Sequence, residues 1–300
     1  MSAPEDGLCV VDKPGGRTSH DVVARVRRIA GTRRVGHAGT LDPMATGVLL
    51  LGVGRATRLL GHLALTDKSY DATVCLGRST VTDDAEGDLV REVDSADITE
   101  AQVRQAAAAF VGEIEQVPSA VSAIKVGGRR AYAQVRAGEQ VDLAARRVTV
   151  SRLDVLAVRH DRPGLVDVDI RVDCSTGTYI RAIARDLGAA LAVGGHLTAL
   201  RRTRVGPFTL ADAHPLEALA GLASPVTVPL AQVVTACFPR RDVDREQARL
   251  LSHGRPLDAM GRSGPYGAFG PDGAVLALLE ESGEVARPLV VLAPAAPGGE

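Results

Sequence analysis

Three hundred residues, 45% of them apolar, are enough for one large domain or a main domain with a small companion. The formal net charge of −1 excludes a protein that binds nucleic acid over its whole surface, and no apolar run is long enough to span a bilayer. The first six residues lack the basic and apolar blocks of a signal peptide, so a cytoplasmic location is expected. Cys9, Cys75, Cys174 and Cys237 are far apart and form no CxxC pair, which predicts reduced core thiols and no disulfide framework.

Gly7 to Val11 reads as a first strand, ended by Lys13-Pro-Gly-Gly16. Ser19 is the predicted N-cap of a helix in which Val22, Val23, Val26 and Ile29 recur at helical spacing until Gly31, with Arg25 and Arg28 on the exposed side. Next comes Gly36-His-Ala-Gly-Thr-Leu-Asp-Pro-Met-Ala-Thr-Gly47, a glycine-rich loop that runs into the apolar strand Val48 to Leu51. Pro43 fixes its own φ and pushes Asp42 towards an extended conformation, so the carboxylate stands off a stiff backbone. An isolated Asp-Pro is ordinarily a turn; here the crowding of glycines beside it makes Asp42 the candidate reactive group.

Arg55 to Leu63 reads as helical and Tyr70 to Leu76 as a strand, followed by an acidic turn over Thr80 to Gly87 and a short strand near Leu89. Thr99 and Gln102 form a capping box for a helix to Phe110, and Glu113 to Arg147 is less regular. Val148 to Val158 and Leu165 to Val172 alternate as paired strands about Arg162-Pro-Gly164; a helix over Tyr179 to Leu191 and a strand over His196 to Val205 follow. Without a repeating βαβ rhythm, the expected fold is α+β with a mixed, largely antiparallel central sheet and flanking helices. After Phe238 the pattern shifts to a helix capped by Asp244 and Gln247, then turns alternating with Val275 to Leu279 and Leu289 to Leu292. The expected organisation is a main domain over residues 1–236, a small β-rich domain over 237–293 and a disordered tail over 294–300.

Charge is distributed unevenly. The chain has 32 arginines and three lysines, Lys13, Lys68 and Lys125. Arginines cluster at 25–34, 129–136, 146–152 and 201–204, which reads either as solvated surface or as a phosphate track. Ammonium and guanidinium are not interchangeable at a crowded site, so the three lysines are expected to be buried or in close contact. Seven histidines show no ligand-like spacing, and no metal is expected.

The central loop, together with Val11-Asp-Lys-Pro14, Lys68-Ser-Tyr-Asp-Ala72, Ser122-Ala-Ile-Lys125, Cys174-Ser-Thr-Gly-Thr-Tyr-Ile-Arg181 and His196-Leu-Thr-Ala-Leu-Arg-Arg202, resembles the motifs of the TruB-type pseudouridine synthases, in order, from about residue 8 to 210. That resemblance implies isomerisation of a uridine at position 55 in the T-loop of tRNA, with no cofactor and no obligate protein partner. A monomer is expected. It also implies an RNA-gripping thumb at about 113–147, where Pro118-Ser-Ala-Val121 departs from the usual Pro-Pro-x-Tyr run, and either a PUA-like RNA-binding role or a plain structural cap for the C-terminal domain.

Breaking the base–sugar bond and rejoining the base through carbon needs an extruded nucleotide and one carboxylate. Asp42 is that carboxylate, as nucleophile or as base. Arg181 is its candidate partner, because a guanidinium early in a helix opposes the macrodipole unless a carboxylate compensates. Tyr70 is assigned to stack on the uracil and take the final proton. By resemblance, Tyr179 and Leu200 wall the uracil pocket and His37 fills the space of the flipped base, while Lys13, Lys68, Lys125, Arg129, Arg130 and Arg202 are candidates for RNA contact. The competing readings are a non-catalytic tRNA-binding or tRNA-folding protein and a guide-RNA-dependent synthase of the dyskerin type.

Overall fold

The computed structural model describes residues 5–119 and 143–295, with the backbone of 125–126 and 129–130. The chain forms two compact units, one of residues 1–42, 48–64 and 206–300, the other of residues 43–47 and 65–205. The first unit opens with β1 (Gly7–Lys13), whose Leu8, Cys9, Val10 and Val11 are wholly buried. Helix α1 (Ser19–Ala30) buries Val22, Val23 and Val26, and Gly31 closes it in the left-handed conformation at φ 63°. Its N-cap is Thr18 and not Ser19 as expected: Thr18 and Asp21 exchange the two bonds of a capping box. Those bonds also hold the Asp21 carboxyl below its usual range.

β2 (Val35–Ala38) and β3 (Thr46–Val53) pair as a hairpin from Val35–Val53 to Ala38–Leu50. The loop between them carries Asp42. Short helical turns follow, Gly54–Leu59 and then α2 (Leu60–Ala64).

The second unit is built on β4 (Lys68–Leu76), β5 (Arg78–Thr80), β6 (Leu89–Glu92), α3 (Glu100–Ala108), β7 (Gly112–Gln116), the short pair β8 (Lys125–Val126) and β9 (Arg129–Arg130), β10 (Arg146–Arg162), β11 (Leu165–Cys174), α4 (Ile180–Ala190) and β12 (Gly195–Val205). Successive antiparallel pairings run β12–β4–β11–β10–β7, and Thr46–Gly47 lies parallel beside Arg201–Arg202 of β12. Two expectations are corrected here. The helix predicted to reach Phe110 ends at Ala108, and the start of the stretch read as less regular, residues 113–116, belongs to a strand Gly112–Gln116 paired with Arg146–Val150. Most of the expected thumb, residues 120–124, 127–128 and 131–142, lies outside the described residues, as do 296–300 of the expected tail.

The remainder of the first unit contains β13 (Phe208–Thr209), β14 (His214–Pro215), β15 (Val228–Pro229), α5 (Leu230–Cys237), β16 (Arg240–Asp242), α6 (Arg245–Ser252), β17 (Leu257–Asp258), β18 (Tyr266–Phe269), β19 (Val275–Ser282) and β20 (Val285–Val291). β14 pairs parallel and β15 antiparallel to β1. A Cβ on Gly7 would sit 2.3 Å from the Val228 carbonyl oxygen, so only glycine admits this approach. The last five strands form their own sheet in the order β16–β18–β19–β20–β17, with a core of Val243, Leu251, Leu257, Tyr266, Ala268, Ala277, Leu279 and Ala286. The architecture is thus α+β with mixed sheets. Among the described residues no helix is long and apolar enough to cross a membrane.

Candidate active site

In the first unit the hairpin loop supplies Asp42, half-buried between the buried Leu41 and the half-buried Pro43. Gly39, at φ 76°, makes the left-handed bend that opens the loop. The Ser19 hydroxyl donates to the Leu41 carbonyl at 3.0 Å and accepts its N–H at 2.9 Å. His37 pairs with Leu51 across the hairpin, and its ring stands edge-on to His20 with centroids 5.4 Å apart. Lys13 is wholly buried at the end of β1, its Nζ donating to the carbonyls of Pro14 at 2.9 Å and Arg17 at 2.6 Å. That ammonium fixes the turn into α1, which explains a lysine where the chain otherwise uses arginine.

The second unit supplies the remaining described candidates. On β4, Tyr70 is buried and lies opposite Arg202 of β12 and Val172 of β11. Lys68 and Tyr70, two residues apart on a strand, share a face. Lys68 donates to the Thr66 carbonyl at 2.6 Å, and burial, with the Arg202 guanidinium second, lowers its pKa to about 8. Leu200 is buried opposite Ala72, two residues before the buried Arg202. Gly47 has φ 99°, and a Cβ there would lie 2.2 Å from the Arg202 carbonyl oxygen. The residues just after Asp42 in the chain therefore lie flush against β12, and no side chain fits between.

Tyr179 caps α4 at its N-terminus and is held by a side chain the sequence did not single out. Gln116, 2% exposed, accepts the Tyr179 N–H at 2.8 Å and donates to its carbonyl at 3.1 Å. Arg181, in the first turn of α4, donates to the Thr82 carbonyl at 2.9 Å and meets the Asp84 carboxylate at 3.3 Å, with both side chains about 5% exposed or less. The carboxylate that offsets the macrodipole within this unit is thus Asp84. Asp84 also accepts the Glu86 N–H at 3.0 Å. Its neighbour Asp83 adopts a left-handed φ of 59°; burial pushes its carboxyl up, although Arg185 stands 3.4 Å away. No periodicity in the Thr80 to Gly87 turn could have flagged Asp84, since only the folded turn brings it to α4.

By strand alternation the other face of this sheet carries Ser69, Asp71 and Thr73 of β4 with Asp169, Arg171 and Asp173 of β11. An open groove of about 530 Å³ lies on it, lined by Met44, Thr46, Asp71, Thr73, Asp169 and Arg201 among others. Of the candidate site residues Leu200 also lines that groove, whereas Tyr70 does not. The side chains of Lys125, Arg129 and Arg130 lie outside the described residues. Among the described residues no cluster of His, Cys, Asp or Glu is arranged to hold a metal ion.

Comparison with known proteins adds a family to this geometry. Residues 27–180 match the TruB family pseudouridylate synthase N-terminal domain, residues 181–235 the tRNA pseudouridylate synthase B C-terminal domain, and residues 238–293 the C-terminal domain of tRNA pseudouridine synthase II. The chain is 59% identical to the tRNA pseudouridine synthase B of Nocardia farcinica, over 97% of this chain and 94% of that one. It is likewise 59% identical to its namesake from Thermobifida fusca, covering 96% and 99%. Among solved structures it is similar to a chain of an H/ACA RNP bound to a substrate RNA containing 2'-deoxyuridine, with a TM-score of 0.72, 25% identity and coverage of 96% and 85%.

Proposed function

The chain belongs to the TruB family of pseudouridine synthases, and from that premise we propose that it isomerises uridine to pseudouridine at position 55 in the T-loop of tRNA. The observation that carries this reading is the hairpin loop that presents Asp42 directly after Leu41, whose backbone N–H and carbonyl are both held by the Ser19 hydroxyl. A carboxylate on so stiff a support suits a reaction whose other demands are to extrude a nucleotide and hold its base.

In the mechanism, the target nucleotide leaves the stack and Tyr70 packs on the uracil, with Tyr179 and Leu200 as walls and His37 in the vacated space. Asp42 attacks the sugar carbon or removes the proton beside it, and the bond from sugar carbon to base nitrogen breaks. The detached base turns, takes a proton at its freed nitrogen and bonds to the same sugar carbon through its own carbon. That step releases the Asp42 carboxylate or, on the second route, returns the proton that Asp42 removed. The proton on that base carbon then passes to the Tyr70 oxygen as general base, restoring the aromatic ring. Arg181, itself held by Asp84, keeps the reacting carboxylate ionised. No electron acceptor or group donor enters the balance, so no cofactor or metal is invoked.

Lys13 and Lys68 donate to backbone carbonyls and Arg202 is buried, so the RNA grip falls to the exposed basic clusters, with Lys125, Arg129 and Arg130 in the thumb. Arg25, Arg28, Arg33 and Arg34 are exposed and, among the described residues, meet no carboxylate, which suits phosphate. We divide the chain into a catalytic domain over 1–236 and a PUA-like domain over 237–293, a boundary supported by the separate core of the last five strands and by the family match beginning at 238. The protein acts as a monomer in the cytoplasm, where its tRNA is.

The fold likeness to an H/ACA RNP favours a second reading, a guide-dependent synthase. The purified chain, given unmodified tRNA transcript with no guide RNA and no other protein, separates the two. Pseudouridine forms under the first reading and not under the second.

A further inference from the structure

Ser19 opens α1 without capping it, because Thr18 and Asp21 already exchange the capping bonds. Its hydroxyl is turned instead to a segment 22 residues away. A hydroxyl has one donor and two acceptor lone pairs, so this one side chain satisfies both backbone groups of Leu41, as a neighbouring strand would. No strand does so there, because the β2–β3 ladder ends at Ala38–Leu50. Ser19 is 1% exposed and Leu41 4%, so water cannot replace the serine without the site opening.

We propose that Ser19 is a positioning residue for the reaction: its two hydrogen bonds to the Leu41 backbone fix the place and angle of the next residue, Asp42. This inference rests on the function proposed above, with Asp42 as the reacting group. Without the hydroxyl, Leu41 keeps its side-chain packing but loses both backbone partners, and the peptide that leads into Asp42 rotates. A displacement of about 1 Å at a reacting group costs up to about 100-fold in rate. Ser19 touches no RNA, so the loss falls on the chemical step and not on binding.

The test is steady-state tritium release from a tRNA transcript labelled at carbon 5 of uridine, using the full chain as wild type, Ser19→Ala and Ser19→Cys, with thermal unfolding of each. The cysteine variant keeps the site filled but offers only a weak donor and acceptor. It carries the test if the alanine variant does not fold. Expected is a kcat lowered by about 10- to 100-fold in a folded variant with KM nearly unchanged, the pattern of an interaction felt in the transition state. A folded variant that keeps the wild-type kcat, or one in which only KM rises, overturns the proposal while the function stands. A wild-type chain that releases no tritium overturns both.

Discussion

Arg159, Arg162 and Arg171, on the polar face of the second unit's sheet, each meet a carboxylate: Arg171 joins Asp71 at 2.7 Å, Arg162 joins Asp167 at 2.5 Å and Arg159 joins Asp169. Arg25, Arg28, Arg33 and Arg34 of the first unit are exposed with no carboxylate partner among the described residues, although Arg27 beside them spends its guanidinium on the Val35 carbonyl at 2.8 and 3.2 Å. Both groups look alike as arginine-rich sequence, yet the paired set has its charge cancelled across the strands and the unpaired set keeps it for an outside anion. Arg181 is a third case, buried against Asp84 where neither charge can be left alone. Pairing and burial, not arginine count, separate a structural cation from one that can hold RNA.

Removing the partner of the buried pair is expected to have the largest effect on stability. Asp84→Asn removes one carboxylate from the buried Arg181 guanidinium, and urea unfolding is expected to show a loss of about 3 kcal/mol, together with slower tritium release. A loss below about 1 kcal/mol would mean that the pair is solvated and no different from those on the polar face.

Neutralising the unpaired set comes next. Arg25→Gln with Arg28→Gln is expected to weaken tRNA binding about tenfold and to flatten the slope of log affinity against log salt by about 1.5, from two lost phosphate contacts. Filter binding across a salt series measures both, and an unchanged slope would return these arginines to plain solvated surface. The smallest effect is expected on the paired face. Asp71→Asn deprives the exposed Arg171 of its partner, and the expected change in stability is below about 1 kcal/mol with tRNA affinity unaltered. Weakened tRNA binding in this variant would erase the contrast between the two sets.

Much of the fold was legible because local chemistry decided it. Thr99 with Gln102 and Asp244 with Gln247 make the capping boxes that their spacing predicts, and Gly31 ends α1 in the conformation that glycine favours. The neighbouring Thr18 and Ser19 show the limit of that logic. Both can cap, and the choice went to the residue three before Asp21, while Ser19 answered a partner 22 residues away. Gln116 and Asp84 escaped notice for the same reason, since each acts on α4 from a segment distant in sequence, through contacts that leave no period. Tyr266–Phe269 was missed as a strand because all four residues are buried, so no alternation marks it.

The most direct test of the central claim, that Asp42 breaks and remakes the bond between base and sugar, is tritium release from carbon-5-labelled tRNA by the wild-type chain and by Asp42→Asn, with tRNA binding measured on both. The account predicts release by the wild type, none by the variant, and binding by each. A variant that still releases tritium, or a wild-type chain that binds the tRNA and releases nothing, would contradict it.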